Sequence, residues 1–303
     1  MNKISECIQK YHLIIEKVEK NPTYILLYGK EKIYLFKEKE NSKKELFQFL
    51  ETIQYPYYVP LLNDYDDPYE LYPYYEDTIK EDSMKGKELI NALLSLHLKT
   101  MSEEDLEDNT KEDIYERIKK ELTEKEAYYE ELQKYSESFP FPRVDYYYLL
   151  NNISIIYKSI WWSKELLEKW FQLKSHSIYK SYVLHNAYLK NFKISHISYF
   201  INFEECYRDY RIYDLLNFYK EDQLKISMPP LIKAYNNQSP LTKSELLLLN
   251  CLLLIPNTIH FTEDVYNNTV QIKYELDKID KTFQFLSEKD KEEEQKNEEK
   301  LKQ

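Results

Sequence analysis

Between residues 183 and 194 the chain runs Val183-Leu184-His185-Asn186-Ala187-Tyr188-Leu189-Lys190-Asn191-Phe192-Lys193-Ile194. Two apolar residues lead into a histidine. A polar turn with two amides follows, and the chain then returns to an apolar alternation. The patterns on either side are helical, so the backbone changes character here. Residues 181–184, 192–194 and 199–203 read as short extended pieces separated by turns.

On the N-terminal side, residues 1–20 carry Ile4, Ile8, Tyr11, Ile15 and Val18 at helical spacing and predict a helix. Residues 24–28 and 32–36 predict two strands. Gly29 stands in the turn between them, where a hairpin favours a left-handed residue. Ser42 is the expected N-cap of the next helix, with Glu45 completing a capping box and the helix running to about Gln54. Residues 57–62 and 69–75 predict two more strands. The first 76 residues thus give helix, hairpin, helix, hairpin. A linker is expected at 77–82.

Residues 84–100, 111–135 and 144–174 are helical in pattern, and helices resume after the extended pieces at 211–221, 226–237, 241–255 and 262–286. Residues 287–303 hold seven acidic and five basic residues and almost nothing apolar. They predict a disordered tail or a frayed helix. The whole is an α+β chain with a small sheet toward its N-terminus (1–76) and a larger, mainly helical part (83–286).

Composition narrows the functional classes. The 303 residues carry a net charge of -11, which disfavours a phosphate backbone, so no nucleic-acid partner is expected. Apolar residues make up 43 %, enough for a real core. No apolar run reaches the roughly 20 residues of a membrane helix, so no membrane span is expected. The N-terminus lacks a basic-then-apolar layout, and a cytosolic product without a secretory signal is expected. Three scattered cysteines suggest free thiols, and six histidines show no metal-ligand spacing. Glycine occurs twice, where a usage of about 7 % would give roughly 20. A glycine-rich loop that wraps phosphates with backbone N–H groups is therefore absent. Tyrosine occurs 31 times, eight of them between Tyr55 and Tyr75. Core packing accounts for most of these, and a surplus would make a sticky surface.

Three segments in series resemble the aminoglycoside-phosphotransferase-like kinases. The 183–194 stretch is similar to the catalytic loop of that family. Tyr199-Phe200-Ile201-Asn202-Phe203-Glu204-Glu205 is similar to its metal-binding strand. Arg208-Asp209-Tyr210-Arg211-Ile212-Tyr213-Asp214-Leu215-Leu216 resembles the element that opens its next helix. The resemblance covers about residues 20–285 and implies a two-lobed, protein-kinase-like fold. Within that group the Tyr-rich, degenerate character most resembles bacterial spore-coat proteins of the CotS/YutH type.

The resemblance also marks what is lost. Ala187 stands at the position of the catalytic base, and an alanine accepts no proton. Asn202 stands at the metal-binding aspartate and brings no charge to a hard cation. Asn191 falls one residue short of the family's loop asparagine. His185 matches the loop histidine, which braces backbone. Lys37 matches the ATP-binding lysine. It is expected either as a solvated lysine beside Lys32 and Lys39 or as the partner of Glu45 or Glu51. Glu204 is the candidate second metal ligand. Asp209, Arg211 and Asp214 are expected to form ion pairs and cap the following helix. These substitutions imply a pseudokinase, with ATP and magnesium not expected as cofactors and other spore-coat proteins as partners. The competing expectation is an active small-molecule phosphotransferase using ATP and magnesium through a divergent site.

Overall fold

Gly29 ends the second strand of an N-terminal sheet, and its lack of a side chain matters through space. A Cβ there would lie 3.0 Å from the carbonyl oxygen of Ile14 and 3.1 Å from that of Lys32. Its φ is not positive, so the expected left-handed turn residue is replaced by a close backbone approach. The computed structural model describes residues 3–22, 24–39 and 43–301.

In chain order the elements are α1 (Lys3–Lys10), β1 (Ile15–Lys20), β2 (Ile25–Gly29), β3 (Ile33–Glu38), α2 (Lys44–Thr52), β4 (Tyr69–Tyr74) and α3 (Asp82–Thr100). Then come β5 (Ser102–Asp105), α4 (Asp108–Glu137), α5 (Val144–Phe171) and β6 (Ser177–Val183). A 3-10 turn (Leu189–Asn191) leads to β7 (Phe192–Ile194), β8 (Ser198–Phe200) and β9 (Tyr207–Tyr210). The chain ends in α6 (Ile212–Asp222), α7 (Pro229–Gln238), α8 (Lys243–Leu254) and α9 (Val265–Leu301).

These elements form two compact units, Met1–Lys99 with Asn186–Glu205, and Thr100–His185 with Cys206–Gln303. The division differs from the expected boundary at 77–82, because α3 and the 186–205 segment group with the sheet.

In the first unit β1 to β4 make an antiparallel sheet in sequence order. Cys7, Leu27, Phe36, Tyr69 and Leu71 form its buried core, with Ile4, Tyr11 and Ile15 packed around them. The helix expected over residues 1–20 stops at Lys10. His12 takes φ 50°, and Ile15 to Lys20 pair with β2 instead. Sheet hydrogen bonds and the contact of Ile15 with the core outweigh the helical spacing of two apolar residues. Residues 57–62 form no strand. One bond, Leu62 N to the Leu71 carbonyl, ties that segment to β4. Ser42, the expected N-cap of α2, lies outside the described residues. The helix starts after Lys43, which makes no side-chain cap bond, and Glu45 is exposed.

In the second unit α5 packs against α4, α8 and α9. Ile156, Ile160 and Trp170 of α5 are wholly buried. Its small Ser159 and Ser163 donate to the carbonyls of Leu254 and Cys251, which lets α5 and α8 approach closely. β5, β6 and β9 form a three-stranded sheet. Strand β5 was not expected, since Ser102-Glu103-Glu104-Asp105 shows no apolar alternation. It holds an exposed edge through pairs such as Lys180–Glu104 at 2.7 Å. α9 continues to Leu301, so of the two expectations for the tail, disorder or a frayed helix, the described residues 287–301 follow the helical one. Among the described residues no helix is long and apolar enough to cross a membrane.

Candidate functional site

In the first unit Lys37 sits near the end of β3, opposite Glu70 of β4. The strand's alternation turns its side chain inward, and it is 5 % exposed. Lys37 is therefore not the solvated lysine of the first expectation. Its Nζ donates to Glu204 Oε1 at 3.0 Å, to Asn202 Oδ1 at 3.3 Å and to the Ile201 carbonyl at 3.4 Å. The helix carboxylates Glu45 and Glu51 are both exposed and take no part.

A second pair lies beside the first and was missed in the sequence. Lys43 Nζ is 3.6 Å from Glu70 Oε2, and burial lowers the lysine's pKa. Glu70 also accepts from the Tyr72 hydroxyl at 2.8 Å. The available signal was a lone acid inside the apolar run Tyr69-Glu70-Leu71-Tyr72, in register with an inward lysine. Around both pairs Leu35, Val59, Tyr72, Tyr199, Phe200 and Phe203 close a cavity of about 20 Å³. Phe47 of α2 adds a ring 6.0 Å from Phe203. A space of that size holds one or two waters, whereas small-molecule sites run to roughly 300–1,000 Å³.

The loop that carries Ala187 belongs to the same unit. Ala187 is wholly buried and Asn186 and Asn191 nearly so. Asn191 donates its side-chain amide to the Asn186 carbonyl at 3.1 Å, and its own carbonyl accepts from Ile201 N at 2.9 Å. It braces the turn. Asn202 Oδ1 accepts from Glu204 N at 3.0 Å in addition to Lys37.

These donors do not fit a divalent cation. Magnesium needs several oxygens, mostly carboxylate or water, in a near-octahedral shell. Asn202 Oδ1 and Glu204 Oε1, two oxygens a metal would use, instead face an ammonium. Among the described residues no three His, Cys, Asp or Glu side chains cluster as a metal site.

In the second unit His185 ends the extended piece after β6 with φ 58°. Asp214, wholly buried at the start of α6, fixes this bend. Its carboxylate accepts from Leu184 N at 3.0 Å and from His185 N at 2.9 Å. The His185 carbonyl accepts from Asn217 Nδ2 at 2.7 Å, and the imidazole stacks on Tyr207 with centroids 4.3 Å apart. Asp209 Oδ2 lies 3.4 Å from His185 Nε2.

Arg211 does form an ion pair. It grips Glu245 in a fork at 2.8 and 2.6 Å, with the Pro240 carbonyl at 2.8 Å. Arg211, the N-cap residue of α6, makes no side-chain cap bond. Glu245, missed in the sequence, also closes the capping box of α8 with Thr242. A Thr-x-x-Glu ahead of a leucine run was the signal that could have found it.

Comparison with solved structures places the fold. The chain is similar to an aminoglycoside phosphotransferase from Alicyclobacillus acidocaldarius, with 13 % identity over 95 % of both chains and a TM-score of 0.68. It is also similar to a spectinomycin phosphotransferase bound to ADP and spectinomycin, at 11 % identity over 93 % of this chain and 97 % of the other, TM-score 0.58. The AMP-bound complex of that enzyme matches at 12 % identity and the same TM-score, over 94 % and 93 %. No protein-family model and no curated protein matches the chain. The chain therefore has the α+β fold of aminoglycoside-phosphotransferase-like kinases, and at these identities the likeness is one of fold.

Proposed function

We propose that this is a kinase-fold protein without phosphotransferase activity, acting as a binding or structural component. The observation that carries the reading is the engagement of Lys37 by Glu204 and Asn202. One ammonium occupies Asn202 Oδ1 and Glu204 Oε1, oxygens a metal would use, and they occupy the ammonium a nucleotide would need. Ala187 leaves no proton acceptor at the position of the base, a loss worth about 10²–10⁴ in rate. The setting we propose is the bacterial spore coat, with other coat proteins as partners. That part rests on the sequence resemblance to coat proteins.

Isothermal titration with Mg-ATP tests the inactive reading. No heat of binding is expected at millimolar nucleotide. Micromolar binding that weakens in Lys37→Ala would overturn it in favour of an active small-molecule phosphotransferase. A fluorescent fusion followed through sporulation tests the setting. A ring around the forespore is expected, and a signal spread evenly through the mother cell would refute it.

A further inference from the structure

A cavity wholly within the second unit has a chemistry of its own. Ile114 and Ile118 of α4, Leu216 of α6, Leu252 of α8 and Ile255 give it an apolar wall. Its volume is about 620 Å³, within the roughly 300–1,000 Å³ typical of small-molecule sites. Lys220 of α6 lines the same space. Its Nζ donates to the Ile255 carbonyl at 3.0 Å, and among the described residues it makes no ion pair.

The carboxylates facing Lys220 attract it from a distance, and among the described residues none closes to an ion pair with it. Glu121 and Lys125 approach from α4, Glu275 and Lys278 from α9. Both Glu275 oxygens are taken by Asn257, at 2.7 and 2.9 Å. Glu121 lies 4.0 Å from Lys125. Burial consequently pushes the Lys220 ammonium down to about 8. A second cation, Arg117, reaches the cavity and donates to the Tyr213 hydroxyl at 3.2 Å. A desolvated ammonium beside an apolar wall is costly until an anion meets it. Asp113, Glu121 and Asp209 also line the space, and their repulsion grows with the charge of the ligand, which favours one negative charge seated on Lys220 over a polyanion.

We propose that this cavity binds a small monocarboxylate with an apolar or aromatic body, its carboxylate on Lys220 and its body on the isoleucine and leucine wall. The proposal stands apart from the nucleotide reading, since it needs neither Lys37 nor Glu204.

The test is isothermal titration of phenylacetate, octanoate and the neutral phenylacetamide into the full chain near pH 8, in two buffers of different ionisation enthalpy. A carboxylate is expected to bind about 10-fold or more tightly than the amide, as a charge-assisted bond should. Binding should draw in up to about half a proton as Lys220 becomes fully charged. Lys220→Met should abolish both the preference and the uptake. The proposal is overturned if neither carboxylate binds at about 10 mM. Equal affinity for acid and amide, or a preference that survives Lys220→Met, would overturn it as well. Should Lys220→Met fail to fold, the acid–amide comparison and the proton uptake of the unaltered chain decide alone. Mg-ATP titration reads out the other unit, so either proposal can fail without the other.

Discussion

Lys37 Nζ lies 3.0 Å from Glu204 Oε1, the ammonium 5 % exposed and the carboxylate 38 %. The cation is the deeper partner, so the two ends of the pair are not equivalent. Glu204→Gln leaves a buried charge facing only neutral oxygens and should cost about 1–3 kcal/mol. Lys37→Met removes the buried charge and frees a carboxylate that water can reach, so it should cost less. Urea unfolding at neutral pH measures both. A larger loss in Lys37→Met would mean that the lysine stem, rather than the charge, holds this place.

Asp214 fixes the bend at His185 through three short contacts from two backbone N–H groups. Asp214→Ala orphans both donors in a buried setting and should cost about 2–4 kcal/mol in a denaturation series. Asp214→Asn keeps one oxygen acceptor and should cost less. Hydrogen exchange at the amides of residues 184 and 185 should accelerate in both variants before exchange elsewhere does.

Arg211 and Glu245 are 1 % and 0 % exposed, and their fork is bidentate. Removing one charge strands the other, so Arg211→Met should cost about 3–5 kcal/mol by chemical unfolding. Arg211→Lys should not restore stability, because an ammonium cannot reproduce the planar fork. Full rescue by lysine would show that charge alone matters here.

His176 gives a pH dependence of known sign. Burial lowers its pKa below the ordinary 6.5, and Nε2 donates to the Trp170 carbonyl at 2.9 Å. The unfolded chain binds the proton more readily, so the native state has the advantage above pH 6.5 and loses it as pH falls through the lower folded value. The thermal midpoint should fall between about pH 7 and pH 5, and fall less in His176→Gln. Equal slopes in the two proteins would assign the acid sensitivity to other groups.

Much of the helical part was legible because its apolar spacing is long and regular. α3, α4, α5 and α8 lie within a few residues of their expected bounds. The hairpin of β2 and β3 was legible from alternation around Gly29. Strand β1 was not, because Ile15 and Val18 continue the spacing of α1 and only the edge of β2 competes for that segment. The polar β5 was invisible for a related reason, since an exposed edge strand needs no apolar face.

In the candidate site, sequence order pointed to Ala187, Asn202 and Lys37 but could not choose the partner of Lys37. Glu45 and Glu51 are near it along the chain, while Glu204 is 167 positions away. Composition and local pattern point to the class of the fold and show that only two glycines are present, because those depend on which residues the chain contains. The tertiary structure alone settles which charges meet, how small the space around Lys37 becomes and that Lys220 lines a cavity with no ion pair among the described residues. Those depend on burial, which strengthens every unmatched or matched charge and is a property of packing, not of neighbours in sequence.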